Sequence, residues 1–113
     1  MKFEGIYTPI ITPHTEDGSI HTGAFTEVAE FLIDAGVHCI VVGGSTGEYY
    51  AQTNEERIEL MNFASKIINK RVLLIVGTGA TRTEDYVMLA KAVKSSRSGL
   101  PAGQFPSVCV ADR

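Results

Sequence analysis

The sequence has no run of basic residues, no metal-spaced cysteines or histidines, and no apolar run long enough to span a bilayer. Each absence excludes a class of function. Ten Lys and Arg against thirteen Asp and Glu give a formal net charge of −3, and without a basic cluster the electrostatic footprint of a nucleic-acid binder is missing. A membrane-spanning helix needs about 20 predominantly apolar residues, so no membrane partner is expected. Lys2 is followed by Glu4 and Pro9, which spoil the apolar core of a signal peptide; a soluble cytoplasmic protein is the expectation. Cys39 and Cys109 have no near partner, and His14, His21 and His38 show no helical pairing, so no metal site is expected. Cys39, inside an apolar run, reads as a small buried hydrophobe. What remains, 113 residues of which 44% are hydrophobic, is the length and composition of one ordinary globular domain.

Three apolar runs, Phe3–Ile11, Val37–Val42 and Val72–Val76, predict strands. Parallel strands read as near-continuous apolar runs because both faces of their sheet are covered. Between and after them lie stripes at helical spacing: Phe25, Val28, Ala29, Leu32 and Ile33, then Leu60, Met61, Ala64, Ile67 and Ile68, then Tyr86, Leu89, Ala90 and Val93. Gly36 stands where the first helix stops. Thr53-Asn54-Glu55-Glu56 predicts a capping box at the start of the second. Thr83 is the expected N-cap of the third, with Glu84 and Asp85 in a first turn where the helix dipole favours acids. Strand–helix therefore repeats three times, with strands starting roughly 32–35 residues apart, the size of a βα unit. The carboxylate pairs Glu55-Glu56 and Glu84-Asp85 are read as capping and dipole residues rather than acid–base dyads.

Glycine and hydroxyl residues gather where strands run into helices, the asymmetry of a parallel α/β protein whose working face lies at the carboxyl ends of its strands. The stretch Cys39–Arg57, CIVVGGSTGEYYAQTNEER, shows it most clearly. Glycines there let backbone N–H groups approach a ligand, and Ser45 and Thr46 add two hydroxyls with no neighbouring cation in the sequence. That combination suits a small anion such as a carboxylate; the alternative is a tight connection whose hydroxyls satisfy local backbone. After Lys94 the pattern changes: the last nineteen residues hold four serines, two glycines and two prolines, and only Ser107–Val110 could form a short strand. The chain thus divides into residues 1–94, three βα units, and residues 95–113, an irregular C-terminal tail.

Thr12-Pro13, Asp17-Gly18, Gly44-Ser45-Thr46-Gly47-Glu48, the Thr53–Arg57 cap and Val76-Gly77-Thr78-Gly79 occur in an order and spacing that resembles the amino-terminal part of the dihydrodipicolinate synthase/N-acetylneuraminate lyase family, from about Phe3 to about Val93. The resemblance implies a partial (β/α)8 TIM barrel. It implies a family of homo-oligomers, usually tetramers, that form a Schiff base between a lysine and pyruvate or a related 2-keto acid, with no metal or organic cofactor. Ser45, Thr46 and Gly47 become the substrate-binding residues: Thr46 matches the residue that holds the keto-acid carboxylate, and Ser45 matches a catalytic member of a proton relay with tyrosines. Glu48 is expected to tie down the turn through backbone bonds, and Tyr49 and Tyr50 to pack. The wording GGSTGE is closer to the lyase branch, since the synthase branch usually has two threonines in the turn.

One departure from the family is large. A Schiff-base lysine must stand at the carboxyl end of a strand, partly desolvated, whereas Lys2 precedes the first strand and Lys66, Lys70, Lys91 and Lys94 lie on or beside helices. Three readings follow: the amino-terminal part of an aldolase-type synthase or lyase, a small binding module such as a nucleotide half-fold, or a truncated product with no activity of its own. Against the second, Gly77-Thr78-Gly79 does not continue as G-x-G-x-x-G, because position 82 is Arg. For the isolated turn, hydrogen bonds to a carboxylate contribute about 1.5–3 kcal/mol each. Association costs roughly 4–15 kcal/mol, so the turn alone is expected to hold a keto acid only weakly.

Overall fold

The computed structural model describes residues 5–69, 71–98 and 107–110. In chain order the elements are β1 (Tyr7–Pro9), α1 (Thr22–Asp34), β2 (Cys39–Val42), a 3-10 turn (Tyr49–Ala51), α2 (Asn54–Ile68), β3 (Leu73–Gly77), α3 (Thr83–Ser98) and β4 (Ser107–Val110). All three strand pairs are parallel, with Tyr7 opposite Cys39, Cys39 opposite Leu73 and Leu74 opposite Ser107. The sheet order is β1-β2-β3-β4. Strands that neighbour one another in sequence order, with no reversal, make a stretch of barrel wall rather than a doubly wound sheet. The strands begin at residues 7, 39, 73 and 107, so β4 takes the fourth place at the repeat of the first three.

The strands are shorter than the apolar runs that predicted them. Among the described residues of the first run, Tyr7–Pro9 form the strand paired with β2, with Ile6 and Ile10 bonding at its ends to Cys39 and Val41; Phe3 and Glu4 lie outside the described residues. The boundary drawn at residue 94 falls inside α3, which continues to Ser98. Serine inside a helix costs well under about 1 kcal/mol, so Ser95 and Ser96 do not stop a helix already propagating.

Alternation along the strands sends Ile40, Val42, Leu74 and Val76 to the helices, where they form one core with Phe25, Ala29, Leu60, Met61, Ala64 and Ile68. Phe25 and Phe63 meet edge to face at 6.2 Å between centroids, joining α1 to α2. Each such side chain contributes roughly 1.5–3 kcal/mol when taken out of water, and this layer holds the fold together. On the other face of the sheet Cys39 and Ile75 are buried and Val41 and Leu73 half-buried. Burial pushes the Cys39 thiol up from its ordinary value, as expected of an inert core cysteine.

The helix ends follow the sequence closely. Thr53 Oγ1 accepts the Glu56 N–H at 3.1 Å and Glu56 Oε1 accepts the Thr53 N–H at 2.9 Å, completing the capping box. Asn69, in the left-handed region at φ 44°, ends α2. At the start of α1, His21 is the cap, its Nδ1 accepting the Ala24 N–H at 2.9 Å. Thr83 is the first helical residue of α3, not its cap: the Arg82 carbonyl already accepts the Tyr86 N–H at 3.2 Å. At the amino ends of the strands, Arg71 donates to both oxygens of Glu30, at 2.6 and 2.9 Å, and to the carbonyls of Ile67 and Ile68. His38 ties the same end, its Nδ1 accepting from Ile6 N–H and its carbonyl from Leu73 N–H. Among the described residues no helix is long and apolar enough to cross a membrane.

Candidate functional site

At the carboxyl ends of β2 and β3 the two backbones press together through glycines. Gly43 has φ +75°, and a Cβ built on it would stand 3.2 Å from the Gly77 carbonyl oxygen; one built on Gly77 would overlap the Gly43 carbonyl. The following turn is closed by Gly47 N–H to the Gly44 carbonyl at 3.1 Å and Glu48 N–H to the Ser45 carbonyl at 3.0 Å. Gly47 is buried against the end of β1: a Cβ there would lie 3.1 Å from Thr12 Oγ1 and 3.2 Å from the Ile10 carbonyl. Glycine is the residue that lets this turn seat. Ser45 and Thr46 form its exposed crest.

Glu48 is left-handed, φ 59° and ψ 43°, and turns the chain into Tyr49–Ala51. A non-glycine residue there costs roughly 1–2 kcal/mol. Its main chain ties the turn as expected, the N–H bonding to Ser45 and the carbonyl accepting from Ala51 N–H at 3.0 Å. Gln52 Nε2 donates to the Gly47 carbonyl at 2.9 Å. Tyr49 is half-buried, but Tyr50 is 70% exposed. The expectation that both tyrosines pack therefore holds for Tyr49 alone; Tyr50, just past the left-handed Glu48, stands outward with its ring T-shaped to that of Tyr49 at 5.8 Å.

Arg57 was not read as more than the end of a cap, yet it fastens the carboxyl-end turns. Its guanidinium, 8% exposed, donates to the carbonyls of Gly79 at 2.6 Å and Gly77 at 2.9 Å, and lies 4.7 Å from the Tyr49 ring centroid. A planar fork can serve two carbonyls and a ring face at once. The signal was available: Arg57, Leu60, Met61, Ala64 and Ile68 fall on one helical stripe, so an arginine occupies an apolar position. Thr12, of the Thr12-Pro13 motif, stands against the turn as its Gly47 contact shows. It is 6% exposed and its Oγ1 has no hydrogen-bond partner among the described residues.

The structure therefore brings the ends of β1, β2 and β3 together, with Gly47 against Thr12 and Gly43 against Gly77. It does not bring the acidic pairs together as dyads. Glu56 is spent on the capping box, Asp85 Oδ1 accepts from Asn54 Nδ2 at 3.1 Å, and Glu84 pairs with Arg82. Of the lysines, Lys66 stands in the last turn of α2, and Lys91 and Lys94 lie within α3; Lys2 and Lys70 lie outside the described residues. No group of three or more metal-binding side chains occurs among the described residues.

The chain is similar to known proteins in sequence and in fold. A 4-hydroxy-tetrahydrodipicolinate synthase from Streptococcus suis is 40% identical over 98 residues, which are 87% of this chain and 31% of the relative. An N-acetylneuraminate lyase from Rhizobium meliloti is 34% identical over 103 residues, 90% of this chain and 34% of the relative. Among solved structures, a prophage protein of the dihydrodipicolinic acid synthase family from E. coli K12, in complex with pyruvate, superposes with a TM-score of 0.80 at 31% identity, covering 83% of this chain and 32% of that one. The chain spans about a third of the length of the curated relatives it matches. Residues 2–102 match the Dihydrodipicolinate synthetase family, reaching beyond the Val93 at which the motif likeness was drawn to end. With this match, and with a parallel sheet whose order is that of a barrel wall, the chain belongs to the dihydrodipicolinate synthetase family.

Proposed function

We propose that the turn Gly43–Gly47 is the carboxylate-binding side of a site for pyruvate or a related 2-keto acid, in a Schiff-base synthase of the 4-hydroxy-tetrahydrodipicolinate type. The observation that carries this reading is the position of the turn: it stands at the carboxyl ends of the strands, seated on Thr12 and Gly77, with Ser45 and Thr46 on its exposed crest. Thr46 holds the keto-acid carboxylate, Gly47 lets the turn lie close to the end of β1, and Ser45 passes a proton. The solved relative with pyruvate supports the substrate class.

In the reaction, a lysine amine adds to the keto carbon and water leaves, forming an imine. Protonated, the imine draws the electron pair of an adjacent C–H bond into an enamine as the proton leaves to a base. The enamine carbon then attacks a carbonyl partner to form the carbon–carbon bond. In the cleaving direction the pair comes from the carbon–carbon bond itself, and the resulting enamine is protonated. The carboxylate side fixes the orientation of the keto acid, and orientation of this kind contributes up to about 7–11 kcal/mol. The lysine for that step is not supplied by α2 or α3: Lys66 and Lys91 are exposed helix residues, and Lys94 also lies on α3. The chain by itself is therefore silent in this chemistry, and a whole site forms in a homo-oligomer of complete barrels. A second reading, lyase activity of the N-acetylneuraminate type, is favoured by Ser45 in the GGSTGE turn and by the Rhizobium meliloti relative.

Borohydride trapping tests the reading. The chain with pyruvate should give no stoichiometric adduct; a single-site adduct on Lys66, Lys70, Lys91 or Lys94 would defeat it. In a version completed with the remaining strands of a relative, Thr46→Val should weaken keto-acid binding roughly tenfold or more, the loss of one charge-assisted hydrogen bond. Unchanged affinity and turnover there would remove Thr46 from the site.

A further inference from the structure

A second concavity, which shares no lining residue with the glycine turns, lies between the loop that enters α1 and the neighbouring side of α2. It encloses about 370 Å³ and is lined by Ser19, Ile20, Thr22, Glu56, Glu59, Leu60 and Phe63. That volume is within the range of small-molecule sites. Its composition is divided. Leu60 is buried and Ile20 and Phe63 are half-buried, making an apolar floor, while Glu56 and Glu59 bring two carboxylates and Ser19 and Thr22 two hydroxyls. No lysine or arginine is among the lining residues. One wall is held in shape: Ser19 N–H donates to Asp17 Oδ1 at 3.0 Å, the His14–Ile20 bridge closes the loop, and Glu56 is fixed by its bond to Thr53 N–H. Asp17 adds a third carboxylate two residues before Ser19.

We propose that this groove binds a small organic cation, a primary ammonium on an apolar stem of a few carbons. The stem lies on Ile20, Leu60 and Phe63, and the ammonium meets Glu59 and Glu56 at the rim. An anion would face like charge on the rim, and a neutral apolar molecule would leave the two carboxylates without a counter-charge. A hydrated inorganic ion would not use the apolar floor. The ligand class is thus opposite in charge to the keto acid proposed for the glycine turns, and neither site depends on the other.

Equilibrium dialysis of the chain against n-hexylamine tests the proposal, with n-hexanol as the uncharged probe. Saturable uptake of about one equivalent is expected. It should weaken about tenfold in Glu59→Gln, an exposed helix position whose change leaves the core untouched, and remain in the remote control Glu84→Gln. Raising the ionic strength from about 0.01 M to about 1 M, which shortens the screening length from about 30 to 3 Å, should weaken it as well. Uptake that does not saturate, hexanol held as tightly as hexylamine, or equal affinity in Glu59→Gln and the unmodified chain would each overturn the proposal.

Discussion

Gly43 and Gly77 meet backbone to backbone where β2 and β3 end, so closely that a side-chain carbon on Gly77 would overlap the carbonyl of Gly43. Main chain cannot yield as the tip of a side chain can. Gly77→Ala should therefore destabilise the chain by about 1–3 kcal/mol, the usual cost of overpacking. Gly36→Ala offers the contrast: nothing lies within reach of its Cβ, and only the left-handed φ of +90° opposes it. Thermal denaturation of both variants checks the ranking, with Gly77→Ala melting lower.

Arg57 should be replaceable by neither lysine nor methionine. Lysine keeps the charge but not the planar fork, and methionine leaves the Gly77 and Gly79 carbonyls without their donor. A lost hydrogen bond to a charged group costs about 1.5–3 kcal/mol. Hydrogen exchange is the sensitive readout: amides from Gly77 to Ala80 should exchange faster in Arg57→Met, while those of α1 change little.

Asp17 holds the loop between β1 and α1 by accepting from Thr15 Oγ1 and Ser19 N–H. These bonds lower its carboxyl to about 2 from 3.8, the Thr15 hydroxyl being the largest cause. A carboxyl depressed on folding stabilises above its unfolded value and loses that contribution as pH falls through its folded value. The loop should accordingly keep its order at pH 4 and above and lose it between about pH 4 and 2. Glu30, lowered by its hydrogen bonds from Arg71, acts with the same sign below its ordinary 4.5. Following the Ser19 amide against pH by NMR checks the first claim; Asp17→Asn should remove the transition.

Much of this was legible in the residues. Thr53 and Glu56 announced their capping box, and the stripe from Leu60 to Ile68 announced the buried face of α2, because both depend on spacing within one element. The position of the glycine turn at the carboxyl end of β2 followed from the order of strand, glycine and cap. Tyr50 and Thr83 were misjudged by local detail: a left-handed step at Glu48 and a one-residue advance of a helix start. The role of Arg57 escaped because its carbonyl partners are twenty or more residues away. Ser107–Val110 was only a candidate strand, since four residues carry little periodicity of their own; the exposed edge of β3 supplies the ladder that orders it.

Among the described residues, β1 and β4 each have one strand neighbour. Open parallel edges invite pairing with another chain, and the purified chain should be self-associated or aggregated. On the sheet face opposite the helices Cys39 and Ile75 are buried, so edges rather than that face should drive association. Sedimentation against concentration is the measurement. A monomer at all concentrations, melting in one sharp transition, would show the residues to be a self-sufficient domain.

The clamp of Arg71 on Glu30 and on the last carbonyls of α2 stands at the opposite end of the sheet from the glycine turns. Anchorage at one end and the glycine turn at the other divide the labour of the scaffold. Residues such as Ser45 can be exchanged without loosening the clamp, and the clamp can be strengthened without touching the turn. A frame built this way is free to diversify: a few crest residues can be rewritten while its foundations stay as they are.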